Sequence, residues 1–125
     1  MPGVTLDAGA LIALERDERR VLVLLARARE TGARVTIPAT ALAQVVRVPP
    51  RQVRLARLVR QPTTDVVPLG RVDATSVGRL LAASGTADIV DAHVVICARR
   101  AVQQVGTSDP DDLRLLDPDL HVIHV

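Results

Sequence analysis

Aspartates are the residues of this sequence best suited to chemistry, and the predicted fold brings several of them to one edge. Asp7 directly follows the β-favouring run Val4-Thr5-Leu6, and Asp109 follows a second such run over residues 105–107. In open α/β sheets, ligands bind beyond the carboxyl ends of the strands. The two carboxylates are distant in sequence, but we expect them on the same rim of the sheet.

Two further aspartates extend this set. Asp88 and Asp91 are three residues apart near the start of a predicted helix, so they lie on one face about a turn apart. A cluster of four or five carboxylates is costly unless a cation neutralises it, and oxygen donors without Cys or paired His select Mg²⁺ or Mn²⁺. The chemistry that suits such a set is phosphodiester hydrolysis, in which the metal activates a water and stabilises charge on the phosphate.

Most of these aspartates also have a purely structural interpretation. Asp7 and Asp109 stand where helix N-caps are expected, and Pro110 after Asp109 is typical of a first helical position. Asp88 is equally explained as an acid that favours the positive end of a helix. Asp91 is different, because it interrupts an apolar segment in which a buried, unpaired carboxylate is unfavourable. Asp91 therefore indicates a metal or another partner.

The elements that position these residues alternate between strand and helix. Residue patterns predict strands at 4–6, 35–37, 66–67, 105–107 and 122–125, and helices at 8–15, 17–31, 40–46, 51–60, 71–84 and 86–100. We expect Thr40 and Thr86 to cap two of these helices. Because parallel strands need helical crossovers, the pattern predicts a three-layer α/β/α sandwich around a parallel sheet of four to five strands.

Length and composition indicate a single-domain protein without a membrane span. With 125 residues, 48% of them hydrophobic, the chain is expected to form a single domain over residues 1–125. Its longest apolar run is too short for a membrane span, and the single Cys97 offers no disulfide or zinc motif, so we expect a cytoplasmic protein.

Two absences exclude whole function classes. The chain has no Phe, Tyr or Trp, so it lacks the aromatic platform on which single-stranded nucleic acids stack. All 16 basic residues are Arg, which excludes a P-loop, a Schiff-base lysine and the lysine that receiver domains and haloacid-dehalogenase phosphatases require. The sequence also lacks the GxGxxG and GxSxG motifs of dinucleotide-binding proteins and α/β-hydrolases.

Charge divides the chain into two halves. Residues 1–60 carry 11 Arg and 5 acidic residues, whereas residues 61–125 carry 5 Arg and 9 Asp. Arg47, Arg51 and Arg54 belong to an arginine stripe that reaches position 60, and they are predicted to bind the phosphates of RNA. A solvated helix face explains the stripe equally well. Ser108, beside Asp109, is a candidate to hydrogen-bond a phosphate or a metal-bound water, although loop capping also accounts for it.

Four segments together resemble a PIN domain of the VapC toxin type. These are Val4-Thr5-Leu6-Asp7, Ile37-Pro38-Ala39-Thr40, Thr86-Ala87-Asp88-Ile89-Val90-Asp91-Ala92 and Val105-Gly106-Thr107-Ser108-Asp109-Pro110-Asp111-Asp112-Leu113. The resemblance covers essentially the whole chain. It implies an endoribonuclease that depends on Mg²⁺ or Mn²⁺, cleaves structured RNA such as tRNA or rRNA, forms a homodimer and is inhibited by a VapB-type antitoxin. The apolar side chains between the stripe arginines are the candidate groove for an antitoxin helix.

The resemblance also assigns individual residues. Asp7, Asp91 and Asp109 match the metal-site acids of that family, and Asp88 and Asp112 match accessory acids. Gln44 departs from the pattern, because the family has Glu there, and an amide keeps an acceptor oxygen but loses the negative charge. The alternative is therefore a catalytically impaired member that binds RNA or antitoxin without cleavage.

Overall fold

A computed structural model describes residues 3–125 and contains a five-stranded parallel sheet. The strands are β1 (Val4–Leu6), β2 (Val35–Pro38), β3 (Thr64–Val67), β4 (Gln104–Thr107) and β5 (Val122–His124). They lie in the order β3-β2-β1-β4-β5, and each pair of neighbours is parallel. The predicted mixed α/β architecture with a parallel sheet is confirmed, with five strands.

Seven α-helices connect and cover the strands within this part of the chain. They are α1 (Ala8–Glu15), α2 (Arg19–Thr31), α3 (Ala39–Val45), α4 (Val53–Arg60), α5 (Arg71–Ser84), α6 (Ile89–Ala101) and α7 (Pro110–Leu116). The chain builds outward from β1 to β3 through α1–α4 and then returns to β4 and β5 through α5–α7. Since crossover connections are right-handed, α1, α2 and α4 lie on one face of the sheet and α5, α6 and α7 on the other, consistent with an α/β/α sandwich, while α3 contacts both α1 and α6.

The core lies between the central strands and helices α1 and α6. All three residues of β1 are buried, as expected for a central strand covered on both faces. Leu6, Leu11, Ile37 and Leu113 are completely buried, which brings the sheet, α1 and α7 into one hydrophobic core. Within residues 3–125, no single helix is long and apolar enough to cross a membrane; only α5 and α6 together pass that test, and they are bent by 112°.

Two predicted caps are wrong. Thr40 lies inside α3, whose N-cap is Pro38, so its hydroxyl is not at the helix start. Thr86 belongs to the turn that ends α5 at Gly85, where its backbone N–H donates to Leu81 O at 3.3 Å and its hydroxyl contacts Ser84. Asp88 caps α6 instead. The prolines and the turn residues between elements decide these boundaries more strongly than the presence of a threonine.

The structure also shifts several predicted boundaries. Helix α2 begins at Arg19, because Asp17 adopts a positive φ of 58° in the preceding turn. Helix α4 begins at Val53, since residues 49–51 form a separate 3₁₀ turn. Strand β3 begins earlier than predicted, at Thr64, where the register with β2 starts. The sequence pattern predicts a helix cap at Asp109 and Pro110 but no helix after it, whereas the structure has α7 there.

Candidate carboxylate site

Asp7 stands where the central strand β1 ends and α1 begins. Its backbone N–H donates to Gly106 O at 3.2 Å, which fixes it beside the end of β4. Its carboxylate accepts a hydrogen bond from Ala10 N at 2.8 Å, and the residue is only 6% exposed. The N-cap interpretation of Asp7 is thus confirmed, and the cap lies at the point where strand order reverses in the sheet, the usual ligand position in this architecture.

Thr107, the last residue of β4, makes hydrogen bonds that connect the ends of β1 and β4. Its completely buried hydroxyl accepts a hydrogen bond from Asp109 N at 2.9 Å. The same hydroxyl donates to the Asp7 carboxylate, which lowers the Asp7 pKa against other influences. The buried Thr107 side chain therefore hydrogen-bonds both Asp7, at the end of β1, and Asp109, after the end of β4.

Asp88 and Asp91 form the opposite side of the site at the start of α6. Asp88 is the N-cap and accepts from Asp91 N at 3.0 Å. Asp91 follows within the first turn and is half-buried. Asp109 occupies the N-cap position of α7 without a side-chain cap bond, and its carboxyl group instead hydrogen-bonds Asp112. The cap interpretation therefore fails to account for the Asp109 carboxylate.

The five aspartates act on one another electrostatically. The pKa of Asp91 is raised to about 6, first by burial and then by the negative charges of Asp88, Asp7, Asp112 and Asp109. Burial also raises the Asp7 pKa, and Asp109 adds to this effect. The pKa of Asp112 is raised chiefly by its hydrogen bond with Asp109. Acids separated by up to 105 positions in sequence thus share one rim, with Asp91 at the centre of their repulsion.

A divalent cation suits the chemistry of these donors but finds no preassembled ligand set. All five side chains offer hard oxygen ligands of the type that Mg²⁺ and Mn²⁺ prefer. Within residues 3–125, however, no group of three or more His, Cys, Asp or Glu side chains is close enough to hold a metal ion. To coordinate one ion together, these side chains would have to lie closer to one another than they do.

The remaining candidate residues divide into exposed and buried side chains. Gln44 is an exposed residue of α3, a helix that packs against α1 and α6. Ser108 is exposed and lies directly over the first turn of α1, against Gly9. His93 is completely buried, and its Nδ1 lies 2.7 Å from Thr40 Oγ1, in agreement with the expected structural role. Cys97 is a buried core residue, as expected.

The three predicted RNA-binding arginines have different surroundings. The Arg47 guanidinium donates to the carbonyls of Ala43 at 3.0 Å and Val46 at 2.7 Å, so it caps the end of α3. Arg51 is exposed in the 3₁₀ turn. Arg54 forms a half-exposed ion pair with Asp17 at 3.2 Å. Contact of these arginines with RNA stays a prediction.

A separate groove of about 480 Å³ lies at the other end of the sheet. Its lining includes the residues that begin β2 and precede β3, so it is far from the carboxylate rim. Leucines from α1, α2 and α4 form its apolar part, and arginines from α2 and α4 line it as well: Leu14, Leu22, Leu25, Leu58, Arg29, Arg54 and Arg57. Of the apolar side chains between the stripe arginines, only Leu58 lines this groove, whereas Leu55 and Val59 line a separate cavity of about 220 Å³.

Sequence reasoning missed two buried polar groups that hold these elements together. Gln52 is 8% exposed, donates to Glu15 and to Val45 O, and accepts from Arg47 N, thereby joining α1 to the end of α3. Asp73 of α5 is 4% exposed and receives two hydrogen bonds from Arg100 of α6. Neither residue has a local sequence signal, because its partners lie on other elements.

No family model matches the sequence, and neither does any curated protein. Among solved structures, the fold is similar to the VapBC2 complex of Rickettsia felis bound to a DNA fragment from its promoter, at a TM-score of 0.70 and 13% identity, with 99% of this chain and 98% of that chain covered. It is also similar to FitAcB from Neisseria gonorrhoeae, at a TM-score of 0.65 and 16% identity, with 97% and 96% covered.

These comparisons correct the identification made from the motifs. The neighbours are the VapBC2 and FitAcB complexes, at identities that establish a common fold alone. The motif resemblance rests on short segments around strand ends and helix starts, which any fold of this topology needs for its turns and caps. Assignment of the chain to the VapC-type PIN-domain ribonucleases is therefore not upheld, and what stands is a fold shared with chains of two complexes.

Proposed function

We propose that this chain is a metal-dependent endoribonuclease that works as one component of a toxin–antitoxin pair. The observation that carries the proposal is the aspartate cluster at the ends of β1 and β4, in which Asp91 has its pKa raised to about 6 by burial and by four other carboxylates. Strongly perturbed titratable groups gather at functional sites, and carboxylates in such a cluster favour a divalent cation. Structured RNA such as tRNA or rRNA is the proposed substrate.

The residues of the chain have distinct tasks in this proposal. Asp7, Asp91 and Asp109 would hold Mg²⁺ or Mn²⁺, which supplies an activated water and stabilises charge on the phosphate. Thr107 and the N–H of Ala10 keep Asp7 in place. Asp88 and Asp112 add negative charge at the rim. Exposed arginines of the first half of the chain would bind the RNA backbone.

Support for the toxin–antitoxin role comes from the two structural neighbours, which are complexes of such systems. The apolar groove between α2 and α4 is the proposed seat of the partner protein. Its leucines suit the apolar face of a helix, and its arginines suit acidic side chains on the flanks of that helix. We propose a VapB-type antitoxin as the protein that binds this groove. The proposed assembly of the chain itself is a homodimer.

The proposal predicts that purified protein free of any antitoxin cleaves total cellular RNA into discrete fragments in Mg²⁺ or Mn²⁺ and not in EDTA. Asp91→Asn is expected to lose this cleavage by about a hundredfold or more, because it removes a charge from the cation site. The assay is gel electrophoresis of the RNA, with Asp91→Asn also serving as the control for contaminating nucleases. Cleavage that persists in Asp91→Asn or in EDTA would refute the proposal.

Two observations favour a second candidate, a binding module without catalysis. The described side chains form no ready ligand set, and position 44 is an uncharged Gln. If the native chain does not cleave RNA, Gln44→Glu distinguishes an impaired nuclease from a binding module. Cleavage by Gln44→Glu would identify an impaired nuclease. No cleavage by Gln44→Glu, together with RNA binding that is the same with and without metal, would identify the binding module.

Metal binding is also expected to depend on pH independently of cleavage. Asp91 is about half protonated near pH 6, so a cation that binds there must displace a proton. We expect Mn²⁺ affinity to rise between pH 5 and pH 7, and binding at pH 6 to release protons, measured by calorimetry in two buffers of different ionisation enthalpy. Asp91→Asn should show weaker binding with less proton release. Affinity that does not change with pH would contradict the assignment of Asp91.

A further inference from the structure

A basic depression of about 290 Å³ lies between α2 and the end of β5, apart from the aspartate cluster. Its lining includes exposed basic side chains and a more buried apolar floor: Arg19, Arg20, Arg27 and His124, with Leu24 and Ile123. No Asp or Glu is among the described residues that line it. The three arginines and His124 form a surface that we call the α2–β5 patch.

The guanidinium groups of the patch have no partner within the part of the chain that the structure describes. Arg19, Arg20 and Arg27 form no ion pair there and donate no side-chain hydrogen bond, and Glu18 beside them forms no ion pair either. Arg19 and Arg20 also lie in the first turn of α2, where the helix dipole disfavours positive charge. The stability of the helix therefore does not account for these arginines.

The spacing of the patch arginines suits a chain of phosphates. Arg20 and Arg27 are seven residues apart in α2, so they share one face of the helix at a separation of about 10 Å. One strand of a nucleic-acid duplex advances about 3.4 Å per nucleotide, so the two side chains span about three nucleotides. A guanidinium group also binds phosphate through two parallel hydrogen bonds.

The patch adjoins the edge of the sheet that carries the aspartates. Leu24 of α2 packs on β4, since a Cβ built on Gly106 would lie 3.1 Å from Leu24 Cδ2. His124 pairs in the sheet with Thr107, two residues before Asp109. The Cα atoms of His124 and Asp109 are therefore within about 12 Å of each other. A strand that has a phosphate at the aspartate cluster reaches the patch within a few nucleotides.

The surface of the patch favours nucleic acid over a protein partner. Leu24 and Val125 are each only 7% exposed, and Val23 is 39% exposed, so little apolar surface is left for a partner to cover. Protein interfaces depend on a few well-buried anchor side chains, for which the groove between α2 and α4 offers several leucines. The patch offers mainly positive charge, which dominates the affinity of proteins for phosphate backbones.

We propose that the α2–β5 patch binds the phosphate backbone of a structured RNA and holds the strand a few nucleotides from the aspartate cluster. The inference rests on the proposed function for the identity of the RNA as substrate. It names a contact surface separate from the arginine stripe, in which Arg47 caps α3 and Arg54 is paired with Asp17.

The test compares two double variants of the full chain, Arg20→Gln/Arg27→Gln in the patch and Arg71→Gln/Arg79→Gln as the matched control. Arg71 and Arg79 are exposed on α5, on the opposite face of the sheet, and form no ion pair within residues 3–125. Each double variant removes two positive charges from one helix. Fluorescence anisotropy of a labelled RNA hairpin measures binding in EDTA between about 50 and 200 mM salt, where the proposed metal-dependent cleavage does not occur.

The patch variant is expected to bind the hairpin about tenfold or more weakly at the lowest salt, and its slope of log K against log salt should be shallower by about 1.5, as for two lost phosphate contacts. The control should change affinity by less than about threefold, because salt screens charges on the far face.

Equal weakening by the two double variants, or an unchanged salt slope in the patch variant, would overturn the assignment. Loss of binding to poly-glutamate without loss of binding to RNA would also overturn it, in favour of an acidic protein segment. So would failure of the native chain to bind the hairpin. A native chain that binds RNA through the patch but cleaves none in Mg²⁺ or Mn²⁺ would instead refute the proposed nuclease and support the patch.

Discussion

Asp91→Asn is expected to raise the free energy of unfolding in EDTA by about 1 to 2 kcal/mol above pH 6. The native carboxylate is half-buried among four other aspartates, so its ionisation in the folded state opposes both burial and repulsion. Asn has a similar shape and carries no charge. The backbone N–H that donates to Asp88 is retained in the variant.

The sign of the pH dependence follows from the raised pKa. The pKa of Asp91 is about 6 in the folded chain and near the ordinary aspartate value of 3.8 in the unfolded chain. A group with a raised folded pKa contributes its full stability below the unfolded pKa and loses it as pH rises through the folded pKa. The native chain should therefore lose stability relative to Asp91→Asn between about pH 4 and pH 6, and the two should be similar at pH 4.

Urea denaturation at pH 4, 5, 6 and 7 checks this expectation. Asp117→Asn is the matched control, because Asp117 is 9% exposed and accepts a hydrogen bond from Arg99 at 2.9 Å, so its loss should destabilise the protein. Added Mn²⁺ should reverse the order of native chain and Asp91→Asn, since a ligand stabilises the state that binds it. A less stable Asp91→Asn at pH 7 in EDTA would show that the aspartates do not repel one another.

Asp73→Ala is expected to lower the free energy of unfolding by about 2 to 3 kcal/mol. Asp73 is 4% exposed and receives two hydrogen bonds from Arg100, which join α5 to α6. Removing one partner of a buried ion pair typically costs about 3 to 5 kcal/mol. The expected loss is smaller here, because the Arg100 side chain is 56% exposed and regains water when its partner is removed.

The matched control is Asp65→Ala, which removes a second aspartate–arginine pair in a different environment. The side chains of Asp65 and Arg34 are 48% and 49% exposed, so solvent screens their attraction and the loss should be much smaller. Thermal and urea unfolding of both variants would measure the difference. Equal losses would show that burial does not strengthen the Asp73 pair. Helix α6 carries both Arg100 and Asp91. Asp73→Ala therefore also tests whether the Asp73–Arg100 pair between α5 and α6 matters for the function of the carboxylate site.

The sequence predicted the architecture well, because the signals involved are local. Alternation of β-favouring runs with amphipathic segments reports which backbone each segment prefers and which face it buries, and those preferences survive in the folded chain. The rule that parallel sheets collect ligands at their carboxyl ends then placed Asp7 and Asp109 on one rim. The interruption of an apolar helix start marked Asp91, the residue with the most strongly raised aspartate pKa in the cluster.

The identification of the family could not be settled in the same way. Short motifs at strand ends and helix starts satisfy the general needs of turns and caps, so they recur among proteins that share a topology. Asp7 and Asp88 illustrate this, since both serve as caps of their helices as well as members of the carboxylate cluster.

By itself, the sequence determined the order of strands and helices apart from α7, the parallel sheet and the edge at which its acids gather. Only the tertiary structure decided how closely those acids approach, that Ser108 occupies the space left by Gly9, and that Gln52 and Asp73 are held by residues of other elements. The physical reason is the distance along the chain over which each interaction acts. Backbone preference and amphipathic spacing act within one element, whereas packing and buried hydrogen bonds join side chains of different elements, whose distances exist only once the sheet has brought the elements together.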